Sequence, residues 1–266
     1  MRSCLRRIFS IFNLGLVKRP DLNHLHQTQI AHQCLVHKLG FYLDLRDRAQ
    51  QNLEKSSFEV LSQSNLLLES KSENGQDLFA LFSNKYKRGG KFLEFGAYDG
   101  VTFSNTFLLE KLFNWSGILA DPIPRHFEQM NLNRNCISIH AAIAASKKEF
   151  VKILESPASN LSKPMSKRSI TDKIHKVPAF TLSEIIDKYF PAKSLDFLSI
   201  DVEGEDLEIL ASIDFSKYEI KSICVEHNNR IGSDLFLKQM DESGYTLVWN
   251  EYSGNDFWFI RQGQPV

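Results

Sequence analysis

No Cys-x-x-Cys pair occurs in this chain. Its four cysteines, at positions 4, 34, 136 and 224, are scattered. A disulfide framework is therefore not expected. Cys136 and Cys224 fall inside apolar, strand-like runs, which fits buried reduced thiols in a reducing, cytoplasmic compartment. Charge imbalance is also missing: 32 basic residues face 32 acidic ones. Nothing in that balance argues for nucleic acid as a partner. No apolar run reaches the length of a membrane span. The apolar stretch from Ile8 to Val17 is too short, no small-residue cleavage site follows it, and Lys18-Arg19-Pro20 closes it. Internal repeats are absent as well.

What is present falls into two textures. The first twenty residues carry Arg2, Arg6, Arg7, Lys18 and Arg19 and no acid. A basic segment of this kind can lie on an anionic membrane face, or form a plain surface helix or a frayed tail. Residues 21–55 have apolar positions at helical spacing, among them Ile30, Leu35, Leu39 and Leu43. The serine-rich stretch 56–74 reads as a linker or loosely packed segment. Residues 1–70 are thus expected to be a helical N-terminal extension, and residues 71–266 the main domain.

Beyond residue 75, β-rich runs alternate with helical ones. Strands are predicted at 91–97, 117–121, 136–144, 195–201 and 220–226, with helices between them, one of which opens on the capping box Thr181-x-x-Glu184. A polar loop is expected over 156–178. The terminal runs "YTLVWNE" and "DFWFIR" form a hairpin, so one strand at that edge must run antiparallel. Alternation of this kind predicts a doubly wound, mostly parallel α/β sheet.

Ligands bind such sheets at the carboxyl ends of the strands. Those ends are rich in acids here: Glu94 and Asp99 after the first strand, Asp121 after the second, Asp201 after the fourth, and Glu226 followed by His227 after the fifth. In "KFLEFGAYDG", Gly96 and Gly100 permit a sharp turn. A dinucleotide turn usually reads G-x-G-x-x-G; here Ala97 or Tyr98 takes the middle position, and Asp99 would repel a pyrophosphate. The same carboxylate suits the ammonium and sulfonium charges of S-adenosylmethionine. Asp121, about twenty residues on, can accept hydrogen bonds from two ribose hydroxyls.

These residues carry a family resemblance. "FLEFGAYDG", "SNTFLLEK", "GILADPIPRHF", "TLSEII", "LDFLSIDVEGEDLEIL" and "ICVEHN" occur in an order that resembles the FkbM family of S-adenosylmethionine-dependent methyltransferases, over about residues 73–262. The resemblance implies a Rossmann-like class I methyltransferase fold with a seven-stranded sheet, and O-methylation of a sugar, glycan or secondary metabolite. It implies that Glu94, Gly96, Ala97, Tyr98, Asp99 and Gly100 shape the methionine end of the cofactor and that Asn105 binds its carboxylate. Asp121 then holds the ribose, and Ala141 and Ala142 leave room for adenine. Asp121 stands where glutamate is frequent in the family, and Tyr98 where asparagine is.

The candidate catalytic residues are Asp201, Glu226 and His227, with His227 as a general base that titrates near neutral pH. The same three could hold a divalent cation, magnesium or manganese, against vicinal hydroxyls. A basic loop and a basic N-terminus together suggest an acceptor that is anionic or lipid-linked, at the inner membrane face. Two other classes stay open: a dinucleotide-dependent oxidoreductase, and a cofactor-binding domain without turnover.

Overall fold

A computed structural model describes residues 22–51, 66–155, 162–163, 173–202, 204–227 and 233–263. The helices are α1 (Leu22–Gln51), α2 (Leu66–Glu69), α3 (Gln76–Ser83), α4 (Phe107–Phe113), α5 (Pro124–Asn133), α6 (Leu182–Tyr189), α7 (Asp206–Ala211) and α8 (Ser233–Glu242). The strands are β1 (Lys91–Phe95), β2 (Ser116–Asp121), β3 (Ile137–His140), β4 (Ala142–Ile143), β5 (Phe150–Glu155), β6 (Ser162–Lys163), β7 (Lys173–Phe180), β8 (Ser194–Ile200), β9 (Glu219–Glu226), β10 (Tyr245–Leu247) and β11 (Asp256–Arg261).

Seven strands form one sheet in the order β10-β11-β9-β8-β1-β2-β3. β1 pairs in parallel with both β2 and β8, so the strand order reverses direction at β1. This is the doubly wound architecture expected from the resemblance, with helices over both faces. The antiparallel strand is β11, and it lies one place inside the edge. It inserts between β9 and β10 and runs against both. β10 forms the edge itself, parallel to β9.

Alternation along β1 shows why two cores form. Phe92 and Leu93 point to opposite faces, as successive strand residues must. Phe92 joins α1, α3 and α4 on one side, with Leu78, Phe79, Leu108 and Trp258. Leu93 and Phe95 join α6, α7 and α8 on the other, with Ile185, Leu210 and Met240. A sheet covered on both faces explains strands that read as continuous apolar runs.

Three expectations are revised. The run 136–144 is broken at Ala141: β3 ends at His140, and β4 leaves for a second, four-stranded sheet, β4-β7-β5-β6. Part of the expected loop at 156–178 is strand, because Lys173–Phe180 pairs along the whole of β5. Of the stretch 56–74 expected as a linker or loosely packed segment, residues 56–65 lie outside the described residues, and the part from residue 66 is anchored to the domain. Leu66, Ser70 and Ser72 are buried. The hydroxyls of Ser70 and Ser72 donate to Asp77 Oδ1 at 2.7 and 2.6 Å, and the buried Asp77 also accepts from the Leu78 N–H.

α1 docks on the same side. Phe41 and Leu45 are fully buried, and the Phe41 ring lies edge-on to Trp249 and Trp258. The Trp249 indole N–H donates to Asp44 Oδ2 at 3.1 Å. No described helix is long and apolar enough to cross a membrane. The basic segment before α1 lies outside the described residues.

Candidate active site

A cavity of about 460 Å³ opens at the carboxyl ends of β1, β2 and β8, where a doubly wound sheet places its ligands. Its floor is the turn after β1. Gly96 has φ +75°, and a β-carbon there would stand 1.6 Å from the Asp201 carbonyl oxygen. Only glycine lets the ends of β1 and β8 approach this closely. The second sheet walls the far side with Val151, Lys152 and Ile153, and Lys148 just before β5 adds to that wall. That sheet is tied to the start of α5: Arg125 Nε meets Glu155 Oε1 at 2.6 Å, and His175 Nε2 meets Glu155 Oε2 at 2.7 Å.

Eight of the ten candidate cofactor residues line the cavity: Glu94, Gly96, Ala97, Tyr98, Asn105, Asp121, Ala141 and Ala142. Asp99 and Gly100 do not. The Asp99 carboxylate turns back on its own loop, accepting from the N–H groups of Val101 and Thr102 at 2.8 and 2.7 Å and from the Thr102 hydroxyl at 2.8 Å. Its role in the structure is to shape the turn.

Glu94 is likewise committed locally. It accepts from the Asn105 N–H at 2.7 Å, from the Ser104 hydroxyl at 3.1 Å, and from the Thr106 hydroxyl. Burial pushes its carboxyl up, against the pull of Arg134 and these hydrogen bonds. Arg134 braces the same loop from behind. It donates to Glu110, to the Gly100 carbonyl, and to the hydroxyls of Ser104 and Thr106. Burial works against ionisation of Glu110, but Arg134 and its hydrogen bonds outweigh that and hold its carboxyl at about 2. Glu94 and Arg134 thus fix the loop that carries Asn105. The Asn105 amide nitrogen donates to Ser199 Oγ at 2.9 Å, while its buried Oδ1 has no hydrogen-bond partner among the described residues.

Asp121 ends β2 and is buried. Oδ2 accepts from the Tyr98 N–H at 3.1 Å; Oδ1 accepts from the Ile123 N–H at 2.8 Å and lies 3.0 Å from His126 Nδ1. Tyr98 adopts φ +49° to make this contact, a left-handed conformation more usual for asparagine. Its ring packs edge-on against His126, centroids 4.4 Å apart.

The acids at the ends of β8 and β9 form a separate group. Oxygens of Asp201, Asp206 and Glu226 lie within 4.8 Å of one another. Asp206 replaces His227 in the expected set. Glu226 and His227 are consecutive at a strand end and point to opposite sides. His227 stacks on Phe257, 4.1 Å between centroids, and burial pushes its imidazole down. Asp206 accepts from the N–H groups of Val202 and Gly204 at 2.6 and 3.0 Å, which accounts for its place in "DVEGED". Of the candidate catalytic residues Asp201 lines the cavity; Glu226 and His227 do not.

Among the lining residues that the sequence did not single out are His126 and Phe103. His126 sits inside α5, where helical spacing marks it as an ordinary buried residue. Phe103, 64% exposed with φ +59°, stands on the rim, held by a bridge to Ser72. Nothing in the local sequence signals either one.

A family model described as the methyltransferase FkbM domain matches residues 94–247. No curated protein matches the chain. Among solved structures, it is similar to one described as a sarcosine dimethylglycine methyltransferase from Galdieria sulphuraria, at 13% identity and TM-score 0.36, over 65% of this chain. It spans 62% of that protein, less than two thirds of its length. A methyltransferase from Pyrococcus furiosus is similar at 13% identity and TM-score 0.36, over 71% of this chain and 82% of that one. The CurJ carbon methyltransferase is similar at 10% identity and TM-score 0.39, over 93% and 72%.

Proposed function

The chain belongs to the FkbM methyltransferase family, and from that premise we propose that it methylates a hydroxyl oxygen on a sugar, glycan or secondary metabolite. Membership implies use of S-adenosylmethionine, which supplies an electrophilic methyl group on a sulfonium sulfur. The observation that carries the cofactor reading is Asp121. Its carboxylate ends β2 on the cavity wall, beside a turn that Gly96 holds against Asp201. Oδ2 accepts one backbone N–H and has lone pairs left for a ribose hydroxyl. Ala141 and Ala142 leave flat space for adenine. Asn105 presents an acceptor, Oδ1, so it suits the cofactor's ammonium rather than its carboxylate.

Asp201 is the residue we assign as general base. It is exposed, lines the cavity, and ends the strand next to β1. A carboxylate there takes the acceptor's proton as the oxygen attacks in line. Phe103 supports a sugar or other ring acceptor, since its exposed face offers apolar contact at the rim. Lys148 and Lys152 on the opposite wall favour an acceptor with negative charge, including a lipid-linked one at a membrane face.

A divalent cation is a second part of the reading. Asp201, Asp206 and Glu226 would hold it, and an all-carboxylate set suits magnesium or manganese. The chemistry such an ion supplies is acidification of a coordinated hydroxyl.

The primary test is equilibrium binding of labelled S-adenosylmethionine against NAD, followed by mass spectrometry of glycans with and without the protein. Loss of one methyl group on removal supports the reading. Preferential binding of NAD would favour an oxidoreductase instead, and cofactor binding without turnover across a broad acceptor panel would favour an inactive domain. Full activity after exhaustive chelation and in Asp201→Asn would remove both the cation and the assigned base.

A further inference from the structure

We propose that His126 is a cofactor-positioning residue, and that its Nε2 accepts a hydrogen bond from a ribose hydroxyl of the bound nucleoside. The inference rests on the S-adenosylmethionine reading above. His126 is 3% exposed and lines the cavity together with Asp121 and Ile123. Its two nitrogens are in unequal circumstances. Nδ1 lies 3.0 Å from the Asp121 carboxylate, which can only accept, so Nδ1 carries the proton it donates there. In the neutral ring that leaves a lone pair on Nε2. Nε2 is shielded from solvent and has no hydrogen-bond partner among the described residues.

A buried polar atom left unpaired is destabilising. Such an atom in a cavity wall therefore points to a ligand that completes it. The ligand group must be a donor, because Nε2 is an acceptor. Adenine's ring nitrogens are acceptors and fail this requirement, and its one donor, the N6 amino group, lies at the edge of the base away from the sugar. A ribose hydroxyl meets it, and Asp121 on the same wall is already suited to the neighbouring hydroxyl. The two side chains then read a vicinal diol together, one oxygen each, with Asp121 also fixing the imidazole tautomer. The Tyr98 ring, edge-on to His126, excludes water from the pair. This gives Tyr98 a reason to occupy a strained position where its neighbours need only a backbone N–H.

Calorimetry with S-adenosylhomocysteine and its 2′-deoxy and 3′-deoxy analogues tests the assignment. His126→Asn retains a polar atom near Nδ1 for Asp121 and removes the Nε2 contact; His126→Gln restores an acceptor near the Nε2 position. The expected result is about a tenfold loss of S-adenosylhomocysteine affinity in His126→Asn, the worth of one hydrogen bond, with partial rescue in His126→Gln. One deoxy analogue should bind wild type about tenfold more weakly and lose nothing further in His126→Asn. Equal affinity of wild type and His126→Asn, or an equal loss for all three ligands, overturns the inference while leaving the cofactor reading intact. Failure of wild type to bind S-adenosylhomocysteine overturns both. Should the variants not fold, ¹⁵N spectra of wild-type histidines decide: the His126 Nε2 resonance should move on ligand addition, and a resonance that stays fixed rejects the contact.

Discussion

Gly96 and Asp201 touch through their backbones: a single β-carbon on Gly96 would overlap the Asp201 carbonyl oxygen at 1.6 Å. The opposing group is main chain at the end of β8, held to β1 by the Asp201 N–H donating to the Phe95 carbonyl, so it cannot swing aside. Gly96 also has φ +75°, which adds strain for any L side chain. Gly96→Ala is expected to lose more than about 3 kcal/mol of stability. Gly204→Ala, whose β-carbon would meet nothing within 4 Å, should change stability by less than about 1 kcal/mol. Denaturant unfolding of both variants checks the contrast.

Asp121 makes a second expectation, tied to the proposed ribose contact. Asp121→Asn keeps an acceptor oxygen but removes the charge and changes one oxygen into a donor. S-adenosylhomocysteine affinity should fall roughly ten- to hundredfold by calorimetry, since hydrogen bonds to a charged group are worth about 1.5–3 kcal/mol. Unchanged affinity would remove Asp121 from the cofactor site.

Asp256 carries a pH dependence. It is buried at the start of β11, accepts from Gln76 Nε2 at 2.7 Å, and burial, with Glu73 and Asp206 nearby, pushes its carboxyl up to about 7. The folded state therefore holds this proton more tightly than the unfolded chain does. Its contribution is full below the unfolded value near 4 and is lost as pH rises to about 7. The lowered imidazole of His227 acts with the opposite sign near its own unfolded value. The measurement is thus a difference: wild type minus Asp256→Asn, by urea unfolding at pH 5.5 and 8.5. The variant should gain relative to wild type at the higher pH, by roughly 1–3 kcal/mol. A constant difference would show that Asp256 does not titrate in this range.

Docking of α1 supplies the fourth expectation. Phe41 is fully buried among aromatic rings, whereas Leu39, one turn face away, is 42% exposed. Phe41→Ala is expected to cost about 3–5 kcal/mol, and Leu39→Ala less than about 1 kcal/mol. Thermal unfolding of the two variants distinguishes a helix that is part of the core from one that merely rests on it.

The sheet was legible because buried parallel strands write themselves as short apolar runs and each ends on a polar signal. The rim acids were legible for the same reason: position in the strand gave position in space. What the acids do there was not legible. Asp99, Asp121 and Asp206 all accept from backbone N–H groups of their own turns, and only the folded geometry shows that Asp121 also borders the cavity. Loop hydrogen bonding leaves no periodic trace. His227 follows Glu226 directly, and neighbours on an extended chain face opposite ways, so only one of the two reaches the acid cluster. His126 was invisible because its partner, Asp121, is reached through the turn into α5 rather than through any spacing a sequence displays.

The Asp44–Trp249 hydrogen bond spans 205 residues of chain. During synthesis α1 therefore emerges long before the tryptophans that cover it. At a translation rate of about 5–20 residues per second, the face bearing Phe41 and Leu45 waits some tens of seconds or less without the tryptophans that cover it, and that interval is when a chaperone would have something to hold.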